Sequence, residues 1–177
     1  MALLDWREEP IGRYHDRKSF DCGFPALNEY LDRYARQNHE SGGAKTFIAV
    51  SPNAPTRVLG FYSISPGSIA FASVPARLTK KLGRYDVPVF RLGRLAIDRS
   101  VQGRGLGGHL LLAAGERALA VAAEVGGIAL AIDAKDERAA RWYERFGALA
   151  LLDDPQKLIL PLAIIAEAIE TAEKRRR

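Results

Sequence analysis

Seven consecutive residues near the middle of the chain have the composition of an anion-binding loop: Gln102, Gly103, Arg104, Gly105, Leu106, Gly107 and Gly108. Glycines let the backbone approach a ligand because they carry no Cβ. A helix that begins near Gly105 would add unpaired N–H groups and the positive end of its dipole, and Arg104 adds a charge. The pattern therefore predicts a site for a phosphate or pyrophosphate group.

The same glycines also satisfy the dinucleotide-binding pattern G-x-G-x-x-G, with Asp133 placed after the next strand where a ribose-binding acid could lie. Three observations count against that interpretation. The polar run 98–102 separates the preceding strand from the first glycine, an antiparallel meander precedes the motif, and only 44 residues follow Asp133. A loop that serves close packing and binds no ligand is a further alternative.

Hydrophobic periodicity and turn residues predict the elements that position this loop. A helix over residues 24–38, capped by Asp21, carries a buried stripe of Leu27, Tyr30, Leu31 and Tyr34. Strands are expected at 46–50, 58–64 (or on to 71), 89–97, 128–132, 148–152 and 157–162. Helices are expected at 105–124, 136–146 and 164–174, with a short helix and a loop within 73–87. This order indicates an α/β or α+β domain with a mixed sheet.

Burial and polarity lead to expectations for individual side chains. The helix over 105–124 is apolar around most of its circumference, so it should be largely buried with His109 in a structural role. In the helix over 136–146, Ala139, Trp142 and Phe146 share one face. His15 and His39 lie in polar segments and should be exposed.

Length and composition indicate one domain over residues 1–177, with a core of about 10–162 and a helical basic tail at 163–177. The single cysteine, Cys22, allows no internal disulfide, which suits a cytoplasmic protein. No secretory signal is recognised, and no run of ~18 apolar residues predicts a membrane span. No metal site is predicted.

Positive charge is concentrated in one region. The net charge is +5, and residues 77–104 hold eight basic residues against Asp86 and Asp98. A basic run also closes the chain at 174–177. Such a surface favours an anionic partner, although a soluble enzyme with a slightly basic surface is the plainer alternative.

The residues around the loop resemble the GNAT acetyltransferases, whose cofactor loop reads Q/R-x-x-G-x-G/A. Residues 102–107 match that loop, Leu-Gly-Arg-Leu-Ala-Ile at 92–97 resembles the preceding strand, and residues 139–148 resemble the family's A-x-x-x-Y-E-x-x-G-F helix, with Ala148 in place of the aromatic residue. The resemblance implies a mixed central sheet with helices on both faces and acetyl-CoA as co-substrate. The amides of 102–108 would hold the pyrophosphate, the backbone of Leu95, Ala96 and Ile97 would pair with the pantetheine arm, and Tyr143 would lie near the thioester sulfur.

In that setting Tyr143 is expected to act as a general acid. Transfer of its proton to the leaving thiolate is uphill by about 2 kcal/mol on ordinary pKa values, so hydrogen-bond donation is the expected mode. A tyrosine that only packs beside Trp142 is the alternative. No general base is recognised, which favours an α-amine, with pKa ~7.7–8.0, over a lysine amine at ~10.4.

A narrower resemblance covers roughly residues 10–162. Phe-Asp-Cys-Gly at 20–23, Leu-Asn-Glu-Tyr-Leu at 27–31, the strand at 45–50 and the run at 90–98 are similar to GNAT toxins of bacterial toxin–antitoxin pairs. That family acetylates the α-amino group of aminoacyl-tRNA, is neutralised by a ribbon–helix–helix antitoxin and is often dimeric.

The candidate tRNA-binding residues are Arg77, Lys80, Lys81, Arg84, Arg91 and Arg94, because cations along a surface can track phosphates. Arg91 or Arg94 could instead pair with an acid. Two alternatives remain open: acetylation of a small amine or a protein amino group, and a GNAT-like module that binds a partner without turnover.

Overall fold

The computed structural model describes residues 4–177, which form seven strands and six α-helices. The strands are β1 Arg7–Pro10, β2 Lys45–Ser51, β3 Ala54–Ile69, β4 Val87–Ile97, β5 Ala129–Asp133, β6 Leu149–Ala150 and β7 Lys157–Pro161. The helices are α1 Pro25–Glu29, α2 Ala35–Ser41, α3 Ala76–Thr79, α4 Leu106–Val125, α5 Glu137–Glu144 and α6 Leu162–Arg176.

The strands hydrogen-bond in the order β1-β2-β3-β4-β5-β7-β6. β4 and β5 are parallel, whereas the pairs β1–β2, β2–β3, β5–β7 and β6–β7 are antiparallel. The predicted mixed sheet is therefore confirmed. β1 was not expected, because its sequence Arg-Glu-Glu-Pro has no apolar alternation. Its Glu8 carboxylate accepts a hydrogen bond from the Tyr62 hydroxyl at 2.9 Å.

The described chain forms two compact units, and β3, β4 and α4 each contribute to both. The first unit comprises residues 4–65 and 93–114, and its core includes Leu31, Ile48 and Phe61. The second comprises residues 66–92 and 115–177, with Val87, Ala129 and Ile159 in its core. A single domain over residues 1–177 remains a prediction.

The predicted helix over 24–38 is present but is divided by a π-helical turn, Tyr30–Tyr34, between α1 and α2. The wider turn pairs the Ala35 amide with the Tyr30 carbonyl, so Ala35 replaces Tyr34 in the buried stripe. The expectation that Tyr34 is buried was therefore wrong, and this side chain is 51% exposed. Asp21 is not the cap either, because α1 begins after Phe24 with no side-chain cap.

α4 is less buried than its composition suggested. One stripe is buried, formed by Leu106, Leu110, Leu111, Ala114 and Ala118, whereas Val121 and Val125 are exposed. By length and composition alone α4 is apolar enough to cross a membrane, although the core helix of a soluble protein meets the same criterion. No membrane span was predicted for this segment because His109, Glu116 and Arg117 interrupt the apolar run.

Candidate functional site

The glycine loop leads directly into α4. Gly103 and Gly105 have φ of +77° and +83°, a backbone region that L side chains rarely adopt, and a Cβ at either position would meet no atom within 4 Å. The His109 amide donates to the Gly105 carbonyl at 3.2 Å. The amides of Leu106, Gly107 and Gly108 therefore precede the first carbonyl-bonded turn of the helix and can face a ligand.

The Gln102 side chain shapes this loop from within the protein. Its Nε2 donates to the carbonyl of Ile97 at 2.8 Å and to the carbonyl of Cys22 at 3.0 Å. Both N–H groups of the amide are thereby used, so Gln102 can offer a ligand its backbone but not its side-chain donors. These bonds bring the loop together with the end of β4.

A polar network before the loop was not found by sequence reasoning. Asp98 accepts hydrogen bonds from the amide and hydroxyl of Ser100 and, through its other oxygen, from the Asp21 amide at 3.0 Å. Burial alone would raise the pKa of Asp98, but these hydrogen bonds outweigh it and the pKa is lowered. The Asp-x-Ser spacing is a local capping signal that could have been recognised, whereas the bond to Asp21 is visible only in the fold.

The predicted backbone-pairing residues lie at the end of β4. Ala96 is buried, and Leu95 and Ile97 are half-buried. The register of β4 with β5 covers Phe90, Arg91 and Leu92, so the last five residues of β4 lie beyond it. On its other edge β4 adjoins β3, where a Cβ on Gly60 would come within 3.0 Å of the Ala96 carbonyl oxygen.

Tyr143 lies on α5, whose first turn is capped by Asp136 accepting from the Ala139 amide at 2.7 Å. The buried residues of α5 are Ala140 and Tyr143. Trp142 and Phe146 pack on each other, as expected of residues that share one face, but the face of α5 that reaches the core carries Ala140 and Tyr143. Phe146 follows the end of the helix and is 41% exposed, because it packs on Trp142 rather than into the core.

The phenol of Tyr143 is protonated at neutral pH. Burial raises the pKa of Tyr143 well above its ordinary value, because the charged phenolate would be poorly solvated. Its ring packs edge-on against Trp142, with 4.9 Å between the ring centres. Within residues 4–177 its hydroxyl has no hydrogen-bond partner, so the O–H is able to donate to a ligand atom.

Two of the three histidines are hydrogen-bonded within the protein, and the third is exposed. His15 is buried, in contrast to the prediction, with Nδ1 accepting from the Gly12 amide and Nε2 facing Glu9 Oε1 at 3.0 Å. His39 accepts from the Thr46 amide and is half-buried, and burial lowers the pKa of its ring. His109 is exposed and stacks on Trp6, although the helix that carries it was expected to be largely buried.

The candidate cations fall into two groups. The exposed group is Arg77, Lys80, Lys81 and Arg84. Arg91 is also exposed, but its side chain lies across Gly67 and donates to the Ser68 carbonyl at 3.3 Å. The Arg94 guanidinium lies 3.6 Å from the centre of the Tyr30 ring. No acid partner of Arg91 or Arg94 is found in the described chain.

The structure therefore brings together the glycine loop, the end of β4 and residues 21–23 within the first unit, whereas Tyr143 and the exposed cations belong to the second. Arg104, in the loop, is exposed. Among residues 4–177 no group of three or more His, Cys, Asp or Glu side chains could hold a metal ion.

Comparison with known proteins gives consistent matches. Residues 43–147, more than half of the chain, match the model of the acetyltransferase (GNAT) domain. The chain is 39% identical over 145 residues to a tRNA-acetylating toxin of Mycobacterium tuberculosis, covering 82% of this chain and 85% of that protein.

Two solved structures of the toxin AtaT are also similar. One is AtaT complexed with acetyl-methionyl-tRNAfMet, with a TM-score of 0.85 and 28% identity over 95% of this chain and 99% of that one. The other is a tyrosine-to-phenylalanine variant of AtaT bound to acetyl-CoA and the C-terminus of its antitoxin AtaR, with a TM-score of 0.79 and 27% identity over 93% and 98%.

Proposed function

Because the chain belongs to the GNAT acetyltransferase family, we propose that it is a toxin that transfers the acetyl group of acetyl-CoA to the α-amino group of aminoacyl-tRNA and thereby inhibits translation. The observation that carries the cofactor half of this proposal is the open loop of Gly103 and Gly105 at the start of α4. The acceptor half is supported by the identity to a tRNA-acetylating toxin.

The loop suits a pyrophosphate. Its two positive-φ glycines leave open space above the backbone, and the first-turn amides of α4 offer donors of the kind that hold phosphates. The proposed cofactor-binding residues are Gln102, Gly103, Arg104, Gly105, Leu106, Gly107 and Gly108. Bound acetyl-CoA would supply a thioester-activated acetyl group.

The last residues of β4 are proposed to bind the pantetheine arm through their backbone. Leu95, Ala96 and Ile97 lie past the end of the β4–β5 register, and a strand edge offers alternating N–H and C=O groups to an extended ligand. The Ile97 carbonyl also accepts from Gln102, so the same residue connects the strand to the loop.

Tyr143 is proposed as the hydrogen-bond donor to the departing thiolate. A raised pKa keeps its proton in place at neutral pH, which makes full proton transfer to a thiolate still less favourable than on ordinary pKa values. Donation of a hydrogen bond stabilises the developing charge without that transfer.

The acceptor amine is proposed to be an α-amine because no general base that would deprotonate a lysine is recognised. The rings of His15 and His39 are hydrogen-bonded within the protein, and the His109 ring stacks on Trp6. An α-amine has a pKa of ~7.7–8.0, so a substantial fraction is already neutral near pH 7.5.

The partners and location follow the same family. The exposed basic residues Arg77, Lys80, Lys81 and Arg84 are proposed to contact tRNA phosphates, together with Arg91 and Arg94. A ribbon–helix–helix antitoxin is proposed as the neutralising partner, in keeping with the AtaT–AtaR complex. A homodimer and a cytoplasmic location complete the proposal.

Acetyl transfer from radiolabelled acetyl-CoA to charged and uncharged bulk tRNA tests this function. Label confined to charged tRNA, and lost in Tyr143→Phe, supports it. Label on neither RNA, despite binding of acetyl-CoA, would replace the proposal with acetylation of a small amine or a protein. Absence of acetyl-CoA binding would favour a binding module without turnover.

A further inference from the structure

Tyr85 stands out from the surface of the second unit. Its side chain is 83% exposed, and no other large apolar or aromatic residue in the described chain is more exposed. Such a side chain loses favourable burial unless a ligand covers it. The residues around it indicate which ligand that is.

The Tyr85 ring contacts the backbone of Gly83. A Cβ on Gly83 would come within 3.0 Å of ring atom Cδ2 and 3.1 Å of Cε2, so the ring lies against the glycine backbone. Any larger residue at position 83 would displace it. One part of the ring is thus supported by the chain, while most of its surface faces solvent.

The segment around Tyr85 is anchored to the core of the second unit. Leu78 and Leu82 pack against the core of the second unit, and buried Val87 starts the next strand. The amides of Leu78 and Leu82 donate to the carbonyls of Pro75 and Thr79 at 3.0 Å each. These contacts anchor the backbone on both sides of residues 83–86, which include Tyr85.

The charges next to Tyr85 are unpaired cations. Arg77, Lys80, Lys81 and Arg84 are exposed and form no ion pair within residues 4–177, and Asp86 is the one acid in the segment 77–87. These cations lie within eight residues of Tyr85 in the sequence, and proteins bind single-stranded nucleic acid through exposed aromatic rings combined with cations. The rings stack on bases while the cations contact phosphates.

We propose that Tyr85 stacks on an unpaired nucleobase of the single-stranded 3′ end of aminoacyl-tRNA, while the four cations hold the flanking phosphates. This inference rests on the proposed function, since the amino acid to be acetylated is attached at that end. An antitoxin peptide is the competing occupant, and the binding measurements below distinguish it from RNA.

Binding measurements on three proteins and two RNAs test the inference. Wild type, Tyr85→Ala and Tyr85→Phe are each titrated with tRNA carrying an amide-linked amino acid and with the same tRNA lacking its single-stranded 3′ end. Tyr85→Ala should bind the complete tRNA about tenfold more weakly, and Tyr85→Phe should bind it like wild type. All three should bind the truncated tRNA equally.

The salt dependence separates stacking from charge. Tyr85→Ala should leave the slope of log K against log salt unchanged, whereas Lys80→Ala should lower it. The inference would be overturned if Tyr85→Ala bound the complete tRNA with wild-type affinity or lost as much affinity for the truncated tRNA. It would also be overturned if Tyr85→Ala weakened binding of the antitoxin but not of tRNA. If wild type fails to bind or acetylate tRNA, the proposed function is refuted instead. An unchanged thermal unfolding temperature of Tyr85→Ala shows that the variant is folded.

Discussion

The side-chain amide of Gln102 donates a hydrogen bond to the main-chain carbonyl of Cys22, 80 residues earlier in the chain, at 3.0 Å. The second N–H of the same amide donates to Ile97. The loop before α4 is therefore held by a residue that ties it to two separate parts of the first unit. This makes Gln102 a positioning residue for the proposed pyrophosphate site.

Gln102→Glu should raise the KM for acetyl-CoA by about tenfold, because the carboxylate keeps the size of the side chain but removes both donors and faces two carbonyls. Turnover at saturating acetyl-CoA should change less. Isothermal titration and steady-state kinetics would measure both. An unchanged affinity in a folded variant would show that the loop holds its shape without this side chain.

Gly105→Ala should weaken acetyl-CoA binding through backbone strain. Its φ of +83° costs an L residue roughly 1–2 kcal/mol, and the open space around its Cβ position means that no clash contributes within the protein. Gly42→Ala is the matched control, with φ of +84°, equally open surroundings and a place outside the loop. Both variants should lose similar stability in denaturant, and only Gly105→Ala should lose affinity.

Tyr143→Phe should reduce turnover at least about tenfold while the affinity for acetyl-CoA stays within a few-fold, because the ring still packs against Trp142 and only the donor is lost. Stopped-time assays with a direct binding measurement would separate the two effects. Full turnover in this variant would leave Tyr143 with a packing role alone.

Turnover should rise with pH and then reach a plateau. Turnover should increase as the α-amine loses its proton, with a midpoint near pH ~7.7–8.0. Because burial raises the pKa of Tyr143, its donating form persists above the ordinary pKa of a tyrosine, so it should cause no descending limb below about pH 10. A descending limb that is present in wild type and absent in Tyr143→Phe would contradict this assignment.

Arg94 and Arg84 should respond differently to removal of the side chain. Arg94→Ala should lower the free energy of unfolding by about 0.5–2 kcal/mol, because its guanidinium lies on the Tyr30 ring. Arg84→Ala, which removes an exposed and unpaired charge, should leave stability within about 0.5 kcal/mol and weaken tRNA binding. Denaturant unfolding measures the stability of the two variants, and filter binding measures their affinity for tRNA. An equal loss of stability in Arg94→Ala and Arg84→Ala would show that the Arg94–Tyr30 contact contributes no extra stability.

The glycine loop and α4 could be predicted because their signals are local. The closely spaced glycines at 103–108 predict an open backbone, and the apolar run after Gly105 predicts the helix. The mixed sheet was likewise predictable from the alternation of strands and turns. The Gln102–Cys22 bond was not, because nothing local relates two residues so far apart in sequence.

The errors have physical causes. Tyr34 was assigned to the core because a 3.6-residue period was assumed, and the π-helical turn moved Ala35 into that place. His15 was assigned to the surface because its neighbours are polar, yet a ring whose two nitrogens both find partners can be buried at small cost.

Acetylation of aminoacyl-tRNA is tested by identifying the product on the RNA itself. Purified aminoacyl-tRNA is incubated with the protein and acetyl-CoA and digested with ribonuclease, and the released 3′-terminal aminoacyl-adenosine is analysed by mass spectrometry. If the protein acetylates aminoacyl-tRNA, the aminoacyl-adenosine will be heavier by one acetyl group, which fragmentation will place on the α-nitrogen and which will be absent with Tyr143→Phe. An unmodified aminoacyl-adenosine, from protein that binds acetyl-CoA and acetylates another amine, would contradict it.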